Sequence, residues 1–207
     1  MELRQLLAVL FDMDGTLVTS DASVERAWRT WAAEYGVDPV ETLSQAHGAP
    51  AESTAVRMLP HLDRPAWLAA AARQMELQYD DLSDVVAAPG AFEVLAVLER
   101  RGLPWAVVTS ADHQLAKARL GAAGIEPPLL ITIEDITQGK PDPEGYLRAA
   151  ELLGVDACSC LVVEDAEVGL AAGRAAGSMT AALKGLDGDV RLADLHQLAG
   201  LLSRAGE

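Results

Sequence analysis

The chain has 207 residues, half of them apolar, with 16 basic and 31 acidic residues giving a formal charge of −15. That supplies a sizeable core, in one large domain or in one domain carrying an insertion. The acidic surplus opposes non-specific binding to nucleic acid or an anionic membrane, so an anionic substrate must find local positive charge.

No apolar run reaches membrane-spanning length, and MELRQLLAVLF enters a strand pattern without a small-residue cleavage site. The expectation is a cytoplasmic protein with neither anchor nor signal peptide. The first predicted element is LLAVLF (6–11), an apolar run without polar alternation, as in a parallel strand covered on both faces. It leads straight into FDMDGTL (11–17), where Asp12 and Asp14 stand one residue apart. An unpartnered carboxylate is costly to desolvate, so two at a core boundary call for something that neutralises them.

From Thr19 to Val86 the periodicity is helical and no strand is expected. Val24, Ala27, Trp28, Trp31, Ala32 and Tyr35 form one apolar stripe, and Trp67, Leu68, Ala71, Ala72, Met75 and Tyr79 a second, which predicts core tryptophans rather than cofactor contacts. Ala88, Pro89 and Gly90 close the segment as a turn. Beyond it, WAVVT (105–109), LLITI (129–133) and CLVV (160–163) read as further parallel strands. Helices are predicted over 91–101, 113–123, 143–153 and 167–176. The pattern is a doubly wound, Rossmann-like α/β parallel sheet with an inserted all-helical domain: a core of 1–18 and 87–207 and a helical cap of 19–86. Cys158 and Cys160 are too few for a disulfide framework and read as buried thiols. Gly169, Gly173 and Gly177 in GLAAGRAAG read as close packing of a helix on the sheet.

Ligands of open α/β sheets bind beyond the carboxyl ends of the strands. There the sequence places Asp12 and Asp14, then Ser110, then Lys140 in QGKP, then Glu164 and Asp165. Asp12, Asp14 and Asp165 make a hard oxygen set suited to Mg²⁺, with one lysine and one hydroxyl left to hold an anion. Other readings exist for single members: Asp14-Gly15 as a tight turn, Asp12 or Ser110 as a helix cap, Glu164-Asp165 as the cap of the next helix, and Lys140 as a surface lysine. The dinucleotide fingerprint and the Walker phosphate loop are both absent.

FDMDGTL, VVTS, GKPDPEGY and VVEDAEVGLAAGRAAG, in this order and with a cap-sized insertion after the first, resemble the four motifs of the haloacid dehalogenase-like (HAD) hydrolase superfamily. Within it, the chain is similar to the helical-cap sugar-phosphate and polyol-phosphate phosphatases. The resemblance implies that Asp12 attacks phosphorus and that Asp14 protonates the leaving oxygen and later deprotonates water. It also implies that Thr109 and Ser110 bind the phosphoryl group, that Lys140 neutralises Asp12 and the phosphate, and that Mg²⁺ sits on Asp12, Asp165, Glu164 and the Asp14 backbone carbonyl. VERAWRTWAAEYG and the following His47-Gly48 loop resemble cap segments that place such a loop over the leaving group, so His47 and Gly48 are candidate substrate contacts.

The expectation is a Mg²⁺-dependent phosphatase of small sugar or polyol monophosphates working through an aspartyl phosphate, as a monomer or weak dimer. The alternatives are a hexose phosphomutase with the same nucleophile and a sugar-phosphate-binding protein without turnover. HGAP (47–50) carries no basic residue just after its glycine, which weighs against a second substrate phosphate and hence against the mutase.

Overall fold

The computed structural model describes residues 3–46, 49–79 and 81–206. β1 (Ala8–Phe11) is buried along its whole length because its neighbours cover both faces: Val9 and Phe11 enter one apolar cluster, Ala8 and Leu10 another. β2 (Val18–Thr19) follows, and then four helices: α1 (Asp21–Tyr35), α2 (Pro39–Ala46), α3 (Ala51–Met58) and α4 (Arg64–Tyr79). β3 (Val86–Ala87) pairs antiparallel with β2, so the chain leaves the sheet region and returns to it through one small ribbon. That ribbon lies at the edges of a stretch in which no strand was expected; its four residues are too few to leave a periodic signal.

The rest alternates: α5 (Ala91–Arg101), β4 (Trp105–Val108), α6 (His113–Ala122), β5 (Leu130–Ile131), α7 (Glu144–Leu152), β6 (Cys160–Glu164), α8 (Glu167–Ala175), β7 (Met179–Ala182), β8 (Val190–Arg191) and α9 (Leu195–Ala205). The six-stranded sheet runs β5-β4-β1-β6-β7-β8, with every pairing parallel. Helices α5, α6 and α9 bury one face of it, α7 and α8 the other. Strand order reverses at β1, which therefore stands at the crevice where a doubly wound sheet binds its ligand.

Several details depart from expectation. β5 is short because Thr132 breaks away to cap a 3₁₀ turn, its hydroxyl accepting from the Glu134 N–H. β7 and β8 were not anticipated; MTAA lacks the Val/Ile run that marks the inner strands. Cys160 is buried in β6, but Cys158 is exposed, because a 3₁₀ turn over Ala157–Ser159 precedes the strand and removes the alternation that would have turned both thiols inward. Gly169 and Gly173 do pack on the sheet, whereas a side chain at Gly177 would meet open space.

Helix α4 differs most. Its buried residues are Ala70, Gln74 and Gln78, while Leu68 of the expected stripe is 44% exposed. The helix is wedged between two apolar clusters. Trp67 and Leu77 pack on the cluster around Trp28, Trp31 and Leu59, and Met75 and Tyr79 pack on the core beside the sheet. The seam between them carries the glutamines. Trp31 is fully buried and its indole N–H donates to the Ala70 carbonyl at 2.8 Å, which fixes α1 against α4. Among the described residues, no helix is long and apolar enough to cross a membrane.

Candidate active site

The site is built on strand ends. The Asp12 N–H donates to the Val163 carbonyl, so the β1–β6 ladder extends one residue further and carries the Asp12 carboxylate to the crevice. Lys140 Nζ reaches Asp12 Oδ1 at 2.6 Å, Glu164 Oε1 at 2.7 Å and the Val108 carbonyl at 3.0 Å. One buried ammonium thus ties together the ends of β1, β4 and β6. Glu164 is held further by the Tyr146 hydroxyl at 2.6 Å and by the Asp165 N–H. Its carboxylate occupies the space where a Cβ at position 169 would lie, so Gly169 is required for α8 to start there.

Burial, followed by repulsion from Glu164, pushes the Asp12 pKa up to about 7 against the pull of Lys140. Burial also opposes the charge on Lys140, but the Asp12 and Glu164 carboxylates outweigh it and hold that lysine well above the usual range. Asp12, Glu164 and Asp165 bring one carboxylate oxygen each within 4.8 Å of one another. Across the site, Asp12, Asp14, Glu164, Asp165 and Asp21 face Lys140, Arg119 and Lys184, so five carboxylates meet three cations. A phosphate dianion would deepen that deficit. The donor set, hard oxygens with uncompensated charge and a nucleophile that is costly to ionise, fits a hard divalent cation.

Asp14 has different surroundings. Its Oδ1 accepts from the Ser20 hydroxyl at 2.6 Å and its Oδ2 from Arg119 at 2.8 Å, which turns the side chain towards the four-helix region and away from the carboxylate cluster. The tight turn is real as well: Gly15 has φ 79°, and a side chain there would collide with Asp165 and Lys184. Turn and acid coexist, since the turn is what separates the two carboxylates.

The capping alternatives do not describe the molecule. Asp112, not Ser110, caps α6, accepting from the Leu115 N–H at 2.8 Å, and α8 has no side-chain cap among the described residues. Ser110 and Thr109 border the same cavity as Asp12 and Lys140. Thr109 Oγ1 accepts from the Ala111 N–H, fixing the backbone of that turn. His47 and Gly48 lie outside the described residues; Ala49 and Pro50, which follow them, border the cavity.

Several site residues carried no usable sequence signal. Arg119 is 2% exposed and joins Asp14 to Gln78 Oε1 at 2.7 Å. Lys184 bridges Asp165 and Asp21, each at 2.9 Å, linking the end of β7 to the start of α1. It follows β7, whose Met-Thr-Ala-Ala run carries no strand signal. The cavity, about 400 Å³, has Asp12, Ser110 and Lys140 on its sheet side and Trp28, Leu43 and Gln74 on its helical side.

Similar sequences include named phosphatases. Hexitol phosphatase A of Escherichia coli is 42% identical over 170 residues, covering 81% of this chain and 78% of that protein. 2-Deoxyglucose-6-phosphate phosphatase 1 of Saccharomyces cerevisiae is 37% identical over 190 residues, 83% of this chain and 77% of its own. Among solved structures, β-phosphoglucomutase of Clostridium difficile superposes with a TM-score of 0.86 over 97% of each chain at 17% identity, a likeness of fold. Residues 6–177 match the family description of a haloacid dehalogenase-like hydrolase, and with the four motifs converging on one crevice, the chain belongs to that family.

Proposed function

We propose that the chain is a Mg²⁺-dependent phosphatase of small sugar or polyol monophosphates, with residues 19–86 as a cap over a core of 1–18 and 87–207. The observation that carries this reading is the shared cavity, which puts a charged floor opposite a largely apolar helical roof within a volume suited to a small ligand. The names of the two relatives, one for a hexitol and one for a deoxyhexose phosphate, support the substrate class.

In this reading an Asp12 oxygen attacks phosphorus while Lys140, paired with its other oxygen and with Glu164, keeps the carboxylate oriented and offsets charge on the transferring group. Asp14 gives its proton to the departing oxygen as the ester bond breaks, leaving phosphate on Asp12. Asp14 then takes a proton from the water that attacks phosphorus, which frees inorganic phosphate and restores the Asp12 carboxylate and the protonated Asp14. Ser110 and Thr109 border the position of the phosphoryl oxygens. Asp12, Glu164, Asp165 and the Asp14 carbonyl would hold Mg²⁺, which when bound supplies positive charge to the phosphoryl oxygens. His47 and Gly48 stay proposed contacts to the leaving group. All these groups come from one chain, so a monomer or weak dimer suffices.

The test is phosphate release from hexitol, hexose, deoxyhexose and glycerol monophosphates with Mg²⁺ present. Release from at least one is expected. Conversion of a hexose 1-phosphate to the 6-phosphate with little free phosphate would replace this reading with a mutase, and tight binding without turnover would replace it with a binding protein.

A further inference from the structure

We propose that Gln74 determines specificity by donating to an oxygen of the substrate's leaving group, with its amide orientation set from Asp14 through Arg119 and Gln78. This rests on the phosphatase reading above and names the part of the substrate that the helical side of the cavity recognises.

The orientation follows from donor and acceptor chemistry. A guanidinium has only donors, so the Gln78 atom that meets Arg119 at 2.7 Å must be its carbonyl oxygen. That turns the Gln78 amide nitrogen to Gln74, 2.5 Å from an atom that must therefore be the Gln74 carbonyl oxygen. Arg119 is itself fixed by its 2.8 Å ion pair to Asp14 Oδ2. Each link removes one choice. Gln74 is left presenting its NH₂ group, and that nitrogen has no hydrogen-bond partner among the described residues although Gln74 is 0% exposed. Arg119 Nε is a second buried donor in the same condition, and both residues border the cavity that begins at Asp12. The third unpartnered buried atom, the Thr16 hydroxyl, belongs to a residue that does not border it.

Two unmet buried donors beside a ligand cavity want acceptors, and a buried polar group left unpaired is costly. The hydroxyl oxygens of a polyol or sugar supply acceptors; a hydrocarbon leaving group does not. A site built to hydrogen-bond a substrate oxygen discriminates strongly against analogues that lack it. The same series of contacts ends on Asp14, so the group read at Gln74 and the proton donor are positioned by one connected set of side chains.

Steady-state kinetics on a hexitol monophosphate and on phenyl phosphate, which has no leaving-group hydroxyls, test this. In the wild-type protein the hexitol ester is expected to be preferred in kcat/KM. Gln74→Met, similar in length and without donors, should reduce that preference by about 10- to 100-fold, chiefly through a higher KM for the hexitol ester. Gln78→Met, which frees the Gln74 amide to turn, should reduce it by a smaller factor. If Gln74→Met does not fold, Gln74→Glu, similar in size but lacking the NH₂ donor, serves the same comparison. A preference unchanged by the Gln74 substitution, or a KM effect equal for both esters, would overturn the inference while leaving the phosphatase reading intact. Release of phosphate from neither ester by the wild-type protein, nor from any other sugar phosphate, would remove the reading itself.

Discussion

The sheet side and the helical side of the cavity solve opposite problems. On the sheet side, charge is concentrated and almost every group is engaged: Lys140 alone contacts Asp12, Glu164 and a backbone carbonyl. On the helical side, α4 presents neutral amides along one seam, and the Gln74 NH₂ group beside the cavity is a buried donor without a partner among the described residues. A saturated charge cluster is suited to one invariant ligand, the phosphate, because any change of geometry would expose an uncompensated buried ion. A neutral donor with spare capacity is suited to the variable part of the ligand. The contrast separates the chemistry of the phosphoryl group from the choice of what carries it.

The largest effect that would sharpen this division lies at Asp14, where the two sides meet. Asp14→Asn should bind Mg²⁺ and substrate yet lose turnover of esters with poor leaving groups by about 100-fold or more, with a smaller loss for a good leaving group such as p-nitrophenolate. Equal losses on both would break the assignment of proton transfer to this residue.

A smaller effect concerns the sheet side alone. The Asp12 pKa is raised from 3.8 to about 7, so the folded chain holds a proton there that the unfolded chain releases near pH 4. Between about pH 4 and 7 this group therefore lowers stability as pH rises, and a divalent cation on the deprotonated carboxylate opposes that loss. The rise in Tm on adding Mg²⁺ should be small near pH 5.5, grow through pH 7 and level off above about pH 8. A rise independent of pH would count against Asp12 as a ligand. The smallest effect is expected at the ribbon end of the helical region, where Arg26 forks onto Asp81 and Asp84 in full view of solvent. Arg26→Ala should shift Tm by less than about 2 °C, because exposed ion pairs contribute little.

The two sides were also unequally legible. Asp12, Ser110, Glu164 and Asp165 follow apolar runs that read as buried parallel strands, and topology brings strand ends together whatever the details of packing. The helical side depends on which face of α4 turns inward, and there the apolar pattern pointed about one position away from the buried line of Ala70, Gln74 and Gln78. The glutamines are spaced four apart and so share a face, but nothing local says that Arg119, 41 residues on from Gln78, will be buried against them. Lys184 was hidden for another reason: it follows a strand of Met, Thr and Ala that has no strand-like run.

Phosphomonoesterase activity in this chain stands on Asp12 as the nucleophile. Phosphate release from a hexitol monophosphate with saturating Mg²⁺, measured for the wild-type protein beside Asp12→Asn, tests it most directly. A loss of about 10⁴-fold or more is expected in a variant whose thermal melt shows that it still folds. An Asp12→Asn protein that retains turnover within tenfold of wild type would contradict it.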